Sequence, residues 1–294
     1  MLAQRVLETA DRLGYVPNNV SRALRLQRST SWAVIVQGLN AFIASVVEAV
    51  EAAAARDGTS VYLGITDFDD ERERRYVQTS ISQQVGGLIV GHASNLDTYE
   101  GLAIPIVFVD RGVPDSPHDS VTIDNRLAGR LAAEHLWEQG FTRVAYIAGD
   151  QPDTPVAGRA HGLVEALAAH GIDIPPQYRR TTAYSLAGGR DEMAALLALP
   201  EPPEAVYCTN GPATQGAFLG LKAAWNDSIA LVGTDDEPWT ALATPTITVV
   251  QQPVAEIGET AARLLSERVA GYDGPPRQVV LQPTLIVRES SRRA

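Results

Sequence analysis

From Trp32 onward, short apolar runs alternate with longer amphipathic stretches. Runs at 32–37, 60–65, 87–91, 105–109 and 120–123 have the length and β-branched content of strands; the stretches at 41–57, 69–84 and 125–139 carry helical spacing. A second series follows, with a strand at 143–148, helices at 155–170 and 186–198, a strand at 205–209, a helix at 213–225 and a strand at 229–233. A helix at 253–270 and a strand near 284–288 come after it. Strands alternating with helices give right-handed βαβ units and a mainly parallel sheet. Two such series in tandem predict an α/β protein of two similar lobes with a cleft between them, knitted together by the last helix and strand. Local signals agree: Thr154-Pro155 reads as a helix start, Gly171 as the stop of that helix, and Asn210-Gly211-Pro212 as the opening of another.

The strands share a second feature. Residues 105–109 run into Asp110, 143–148 into Gly149-Asp150, 205–208 into Thr209-Asn210, and 229–233 into Thr234-Asp235-Asp236. Ligands of open α/β sheets lie beyond the carboxyl ends of the strands, so polar residues repeated there point to a small-molecule pocket.

Composition narrows the class. A hydrophobic content of 45% and a charged content of 20% are ordinary for a globular protein. A net charge of −11 argues against nucleic-acid binding by the whole surface. Residues 1–31 are the exception, with five arginines against two acids. A helix is expected at 4–13, ended by Gly14, then a turn at 15–19 and a second short helix at 20–26. The start lacks the apolar core of a signal peptide, and no run approaches membrane-spanning length, so a cytoplasmic protein without a membrane partner is expected. The single cysteine, Cys208, lies in an expected strand and reads as a packed apolar residue.

Catalytic patterns are missing. There is no GxGxxG, no GxSxG and no HExxH, and the phosphate-loop spacing of Gly211 and Gly216 lacks the following lysine. The histidines are scattered, with His135, His161 and His170 expected on helix surfaces. The acidic run Asp67, Asp69, Asp70, Glu71 reads as a solvated helix start. Neither enzyme activity nor a cofactor nor a metal is expected. What survives is a hydrogen-bonding set: acceptor pairs on Asp110 and Asp235, an amide on Asn210, and the planar donor fork of Arg159. Polyhydroxylated ligands need that mixture. Tyr184, Phe42 or Trp239 could supply a flat apolar face. Taken singly, Asp110 and Asp235 could equally cap helices or hold turns.

Ordered stretches also carry a resemblance. Arg5 to Asn18 resembles the last helix and exit of the DNA-binding headpiece of the lactose-repressor/galactose-repressor (LacI/GalR) family, and Val20 to Leu26 resembles its hinge helix. Val109-Asp110-Arg111, Val121 to Asn125, Leu231 to Asp236, Gln252-Pro253 and Pro283 to Ser291 match motifs of its two lobes. The resemblance covers essentially the whole chain.

It implies a bacterial transcriptional regulator with two periplasmic-binding-protein-like lobes, a homodimer, a small effector such as a sugar or sugar derivative, and operator DNA as partner. It places effector contacts at Asp110, Arg159, Tyr184, Asn210, Asp235 and Gln252, with Phe42 in a motif that departs from the family's Asn-Pro-Phe. Gly211 stands where the family usually has aspartate. In the hinge, Leu24 matches the leucine that wedges into the minor groove, with Arg22 and Arg25 beside it as DNA contacts. Residues 1–31 are expected to be headpiece remnant and hinge, and 32–294 the effector-binding and dimerisation domain, with one lobe at about 32–124 plus 254–281 and the other at about 125–253 plus 282–294. Roughly the first twenty-odd residues of the family's headpiece, including its recognition helix, have no counterpart. Either a start codon assigned too far downstream or a headless sensor without DNA binding accounts for that; the former fits the basic hinge.

Overall fold

The structure, a computed structural model, describes residues 31–91, 96–111, 116–150, 154–226 and 228–293, together with Arg5, Thr9, Arg12 and Ser29. Arg22, Leu24 and Arg25, the expected DNA contacts, lie outside the described residues. Arg5, Thr9 and Arg12 are helical, and the Thr9 hydroxyl donates to the Arg5 carbonyl at 2.7 Å.

In chain order the first half contains β1 (Ser31–Val36), α1 (Ala41–Arg56), β2 (Ser60–Ile65), α2 (Asp70–Ser82), β3 (Leu88–Gly91), β4 (Ile106–Val109) and β5 (Asp119–Ile123). Then come α3 (Asn125–Glu138), β6 (Val144–Gly149), α4 (Pro155–Ala169), β7 (Arg179–Thr182), α5 (Leu186–Leu197), β8 (Ala205–Cys208), α6 (Gly211–Ala223), β9 (Ala230–Thr234), α7 (Pro238–Leu242) and β10 (Thr248–Gln251). The chain closes with α8 (Val254–Val269), β11 (Gln278–Leu281) and β12 (Thr284–Ile286). Two six-stranded sheets result, in the orders β11-β5-β4-β3-β1-β2 and β12-β10-β9-β8-β6-β7. All neighbours are parallel except β10 and β12. This is the expected two-lobed α/β architecture.

Central strands β3, β4 and β8 are buried at every residue, as parallel strands covered by helices on both faces must be. Four elements escape the apolar pattern. β7 is Arg-Arg-Thr-Thr, an exposed edge strand recruited by register with β6, Tyr146 opposite Arg179. β10, β11 and the five-residue α7 are too short to carry a period.

Helices pack through glycine. A Cβ on Gly129 of α3 would lie 1.9 Å from the Arg159 carbonyl oxygen, and one on Gly162 of α4 would lie 2.1 Å from that of Arg126. Backbones therefore touch, and Arg159 is fixed relative to the start of α3. Gly189 and Gly216 bring α5 and α6 together in the same way.

The chain passes between the sheets three times: after β5, after β10, and after β11. Helix α8 packs on α1 and on β3, β4 and β5. Its Arg268 and the neighbouring Arg277 both bind the buried Asp119 at 2.8 Å, and both guanidinium groups stack on Tyr272. Burial alone raises the Asp119 carboxyl, but the hydrogen bonds from Arg268 and Arg277 outweigh it and hold the group down to about 2.

His135 corrects its expected surface position. It is buried, and its Nε2 meets Ser291 Oγ at 2.7 Å, continuing to Thr248 Oγ1 at 2.6 Å. Ser291 lies beyond β12, so the partner was remote in sequence. His170 is half-buried, stacked on Trp137 and bonded to Glu134. Asp69 caps α2 by accepting from Glu71 and Arg72 N–H. Cys208 is buried, and burial raises its thiol. Among the described residues no helix is long and apolar enough to cross a membrane, and no group of three His, Cys, Asp or Glu could hold a metal.

Candidate functional site

A cleft of about 530 Å³ lies between the sheets. Asn40, Phe42, Phe68 and Asp110 line it from the first lobe; Asp150, Arg159, Tyr184 and Gln252 line it from the second. Strand ends build it. Asp110 directly follows β4, Asp150 follows β6, Asp235 follows β9 and Gln252 follows β10.

The floor is a chain of hydrogen bonds around the buried Arg159. Its Nε donates to Asn125 Oδ1 at 2.9 Å, its Nη1 to the Thr209 carbonyl at 2.9 Å, and its Nη2 to Gln252 Oε1 at 3.0 Å. Gln252 Nε2 then donates to Asp235 Oδ1 at 2.7 Å. Arg159 thus orients the Gln252 amide, and Gln252 orients the Asp235 carboxylate. Burial raises the carboxyls of Asp110 and Asp235, and the charge of Arg159 offsets only part of the rise. Tyr184 is raised by burial and then by the charges of Asp235, Asp110 and Glu237, which places these groups in one electrostatic field.

At the rim, Asn40 Nδ2 donates to Tyr184 Oη at 3.4 Å, the first lobe meeting the second. Phe42 is buried on α1, with an edge open to the cleft.

Of the expected contacts, Asp110, Arg159, Tyr184, Gln252 and Phe42 line the cleft. Asp235 sits beneath it, tied through Gln252. Asn210 is buried, and its Oδ1 caps α6 by accepting from Ala213 N–H at 2.8 Å. Its Nδ2, like Thr209 Oγ1, has no hydrogen-bond partner among the described residues. Trp239 is a correction: it packs on Phe218, ring centroids 5.6 Å apart, away from the lining. A five-residue helix carrying it along the flank of α6 was not visible in the apolar pattern.

Sequence reasoning missed Phe68 and Asn125 as parts of this site. Phe68 stands 57% exposed in a left-handed turn at φ +61°, a conformation that nothing in Asp-Phe-Asp signals. Asn125 opens α3, and only the α3–α4 contact brings it to Arg159.

Three comparisons bear on this architecture. Residues 133–291 match the family described as periplasmic binding protein-like domain. The ribose operon repressor of Escherichia coli (strain K12) is 30% identical over 288 residues, covering 95% of this chain and 87% of that protein. Among solved structures, a complex of the transcriptional regulator CelR with cellobiose matches with a TM-score of 0.80 at 30% identity, covering 98% of this chain and 90% of that one. A protein from Sanguibacter keddieii DSM 10542 assigned to the LacI family matches with a TM-score of 0.82 at 27% identity, over 90% of this chain and 99% of that one. On these matches in sequence and overall structure, the chain belongs to the LacI/GalR family of transcriptional regulators built on the periplasmic-binding-protein-like fold.

Proposed function

We propose that this chain is a repressor whose DNA affinity is set by a sugar or sugar derivative held in the interlobe cleft. The observation that carries the reading is the Arg159–Gln252–Asp235 hydrogen-bond chain, facing Asp110 of the opposite lobe. Carboxylates and an amide held by a buried guanidinium accept from and donate to neighbouring hydroxyls without reorganising. The relatives are transcriptional regulators. The names of two of them carry ribose and cellobiose, which supports a saccharide.

In this reading the lobes span about 32–124 plus 254–281 and about 125–253 plus 282–294, and the three chain crossings act as hinges between them. The effector shifts the lobe arrangement only as far as it binds one arrangement better than the other. Lobe rotation then alters the spacing of two hinge segments in a homodimer, and with it operator affinity. Leu219, Trp225 and Leu242 of the second lobe, exposed by 42%, 94% and 82%, support pairing with a second copy.

The test is a thermal-melting screen of pentoses, hexoses, disaccharides and nucleosides. A ligand at a hundred times its dissociation constant stabilises by about 2.7 kcal/mol, which raises the midpoint by several degrees. The shift should disappear in Asp235→Asn. A sugar that stabilises Asp235→Asn as much as the parent chain would exclude this cleft as the binding site.

A further inference from the structure

We infer that the cleft selects against anionic ligands, so that its occupant is an uncharged or amino-substituted polyol, and that Glu237 is a specificity-determining residue. The inference rests on the reading of the cleft as the effector site.

Charge comes first. Asp110 and Asp150 line the cleft, and Asp235 lies behind the lining residue Gln252 with Glu237 beside it at Gly211, both charges acting on the lining residue Tyr184; Arg159 is the one cation lining the cleft among the described residues. Asp236 does not add to the excess, because Arg288 pairs with it at 2.7 Å. A guanidinium has five N–H groups, and three of those on Arg159 are committed to Asn125, Thr209 and Gln252.

Backbone donors do not make up the difference. Anions are often held by free N–H groups at helix amino ends. Here the first turns of α4 and α6 carry Pro155 and Pro212, which have no N–H. Ile43 N–H in α1 and Ala213 N–H in α6 are already taken by the side chains of Asn40 and Asn210. A helix end supplies the equivalent of about half an elementary charge, too little against four carboxylates.

Gly211 brings two of those carboxylates together. A Cβ there would lie 2.8 Å from Glu237 Oε1 and 3.3 Å from Asp235 Oδ2. With no side chain in that space, both carboxylates crowd the first residue of α6. Burial raises the Glu237 carboxyl and the charge of Asp235 raises it further. Glu237 Oε2 accepts from Trp239 Nε1 at 3.2 Å, which fixes its direction. A phosphate or carboxylate on the ligand would add like charge to this field, whereas hydroxyl and ammonium groups donate into it.

Matched pairs test this: D-ribose with D-ribose 5-phosphate, D-glucose with D-glucose 6-phosphate, D-glucosamine and D-glucuronate, and cellobiose with cellobionate, by calorimetry and thermal melting. The anionic member of any pair that binds should be at least about 100-fold weaker than its parent. Glu237→Gln, which keeps an acceptor for Trp239, should narrow that ratio about tenfold, and Asp150→Asn by less. Anionic members binding as tightly as their parents would overturn the inference while leaving the effector reading intact. An unchanged ratio in Glu237→Gln would remove Glu237 from it. Failure of every compound to shift the melting curve would sink the effector reading and the inference with it.

Discussion

Asp110 and Asp235 occupy equivalent places in the two sheets. Each directly follows a central strand, β4 or β9, each has φ +71°, and each donates its N–H at 3.0 Å to a valine carbonyl of the next strand, Val121 or Val250. The left-handed conformation, tolerated by aspartate better than by most residues, turns the chain off the sheet in both lobes. Side chains from the two halves are thereby presented to one cleft by the same local device.

That relationship sets a pH response. Burial raises both carboxyls, so the folded chain holds their protons more firmly than the unfolded chain does. Their contribution to the stability of the unliganded protein is then full at and below the ordinary carboxylate range and is lost as pH rises through the raised values. Melting curves recorded upward from the ordinary carboxylate range should show this decline, flattened in Asp110→Asn and Asp235→Asn. Sugar affinity should run the other way, since protonation removes acceptors. A decline of the same slope in both variants would assign the effect elsewhere.

Arg159 is a structural strut as well as a cleft residue. Arg159→Ala leaves the Thr209 carbonyl, Asn125 Oδ1 and Gln252 Oε1 without their donor, at a cost of about 3 kcal/mol and roughly 5 °C in melting temperature. Arg159→Lys keeps the charge but not the fork, and should lose sugar binding with less damage to the fold. Unaltered melting of Arg159→Ala would contradict the strut.

At the α3–α4 crossing, Gly129→Ala forces a methyl group to within 1.9 Å of the Arg159 carbonyl, so the helices must separate. Destabilisation of about 3 kcal/mol is expected. Sugar affinity should fall too, because Asn125 and Arg159 move apart. Gly171→Ala, at a surface turn with nothing near its Cβ position, is the control: strained at φ +75° but silent on binding.

The Asp119 triad has the opposite pH sign to the cleft acids. Its carboxyl is held down to about 2, so its contribution is full above about 3.8 and is lost as pH falls toward 2. Linkage gives about 2 kcal/mol at neutral pH. Asp119→Asn should lower the melting temperature at neutral pH and blunt the loss below about pH 4. An acid limb unchanged by the substitution would show that Arg268 and Arg277 brace the loop without it.

Much of this is legible in the amino-acid sequence. Strand ends carrying Asp110, Asp150, Asn210 and Asp235 pointed to a cleft, because a parallel sheet with polar carboxyl ends has few other uses for them. The departures have physical causes. Asn210 turns its acceptor back onto Ala213 as a cap, a role its position before Gly-Pro already implied, and keeps its buried Nδ2 without a partner among the described residues. His135 finds Ser291 only after the chain has returned to the second sheet, and no periodicity encodes a partner so distant. Phe68 owes its place to a left-handed turn, and Glu237 owes its closeness to Asp235 to the missing side chain of Gly211.

The three passages between the sheets bear on how the polypeptide can be divided. β11, translated after β6 to β10 of the second sheet, forms the outer border of the first. A fragment ending near Ile123 would leave β5 with its backbone groups bare along one side, and bare strand borders recruit other chains. Neither half is a contiguous genetic segment, so each must wait for the carboxyl-terminal residues before its sheet is complete.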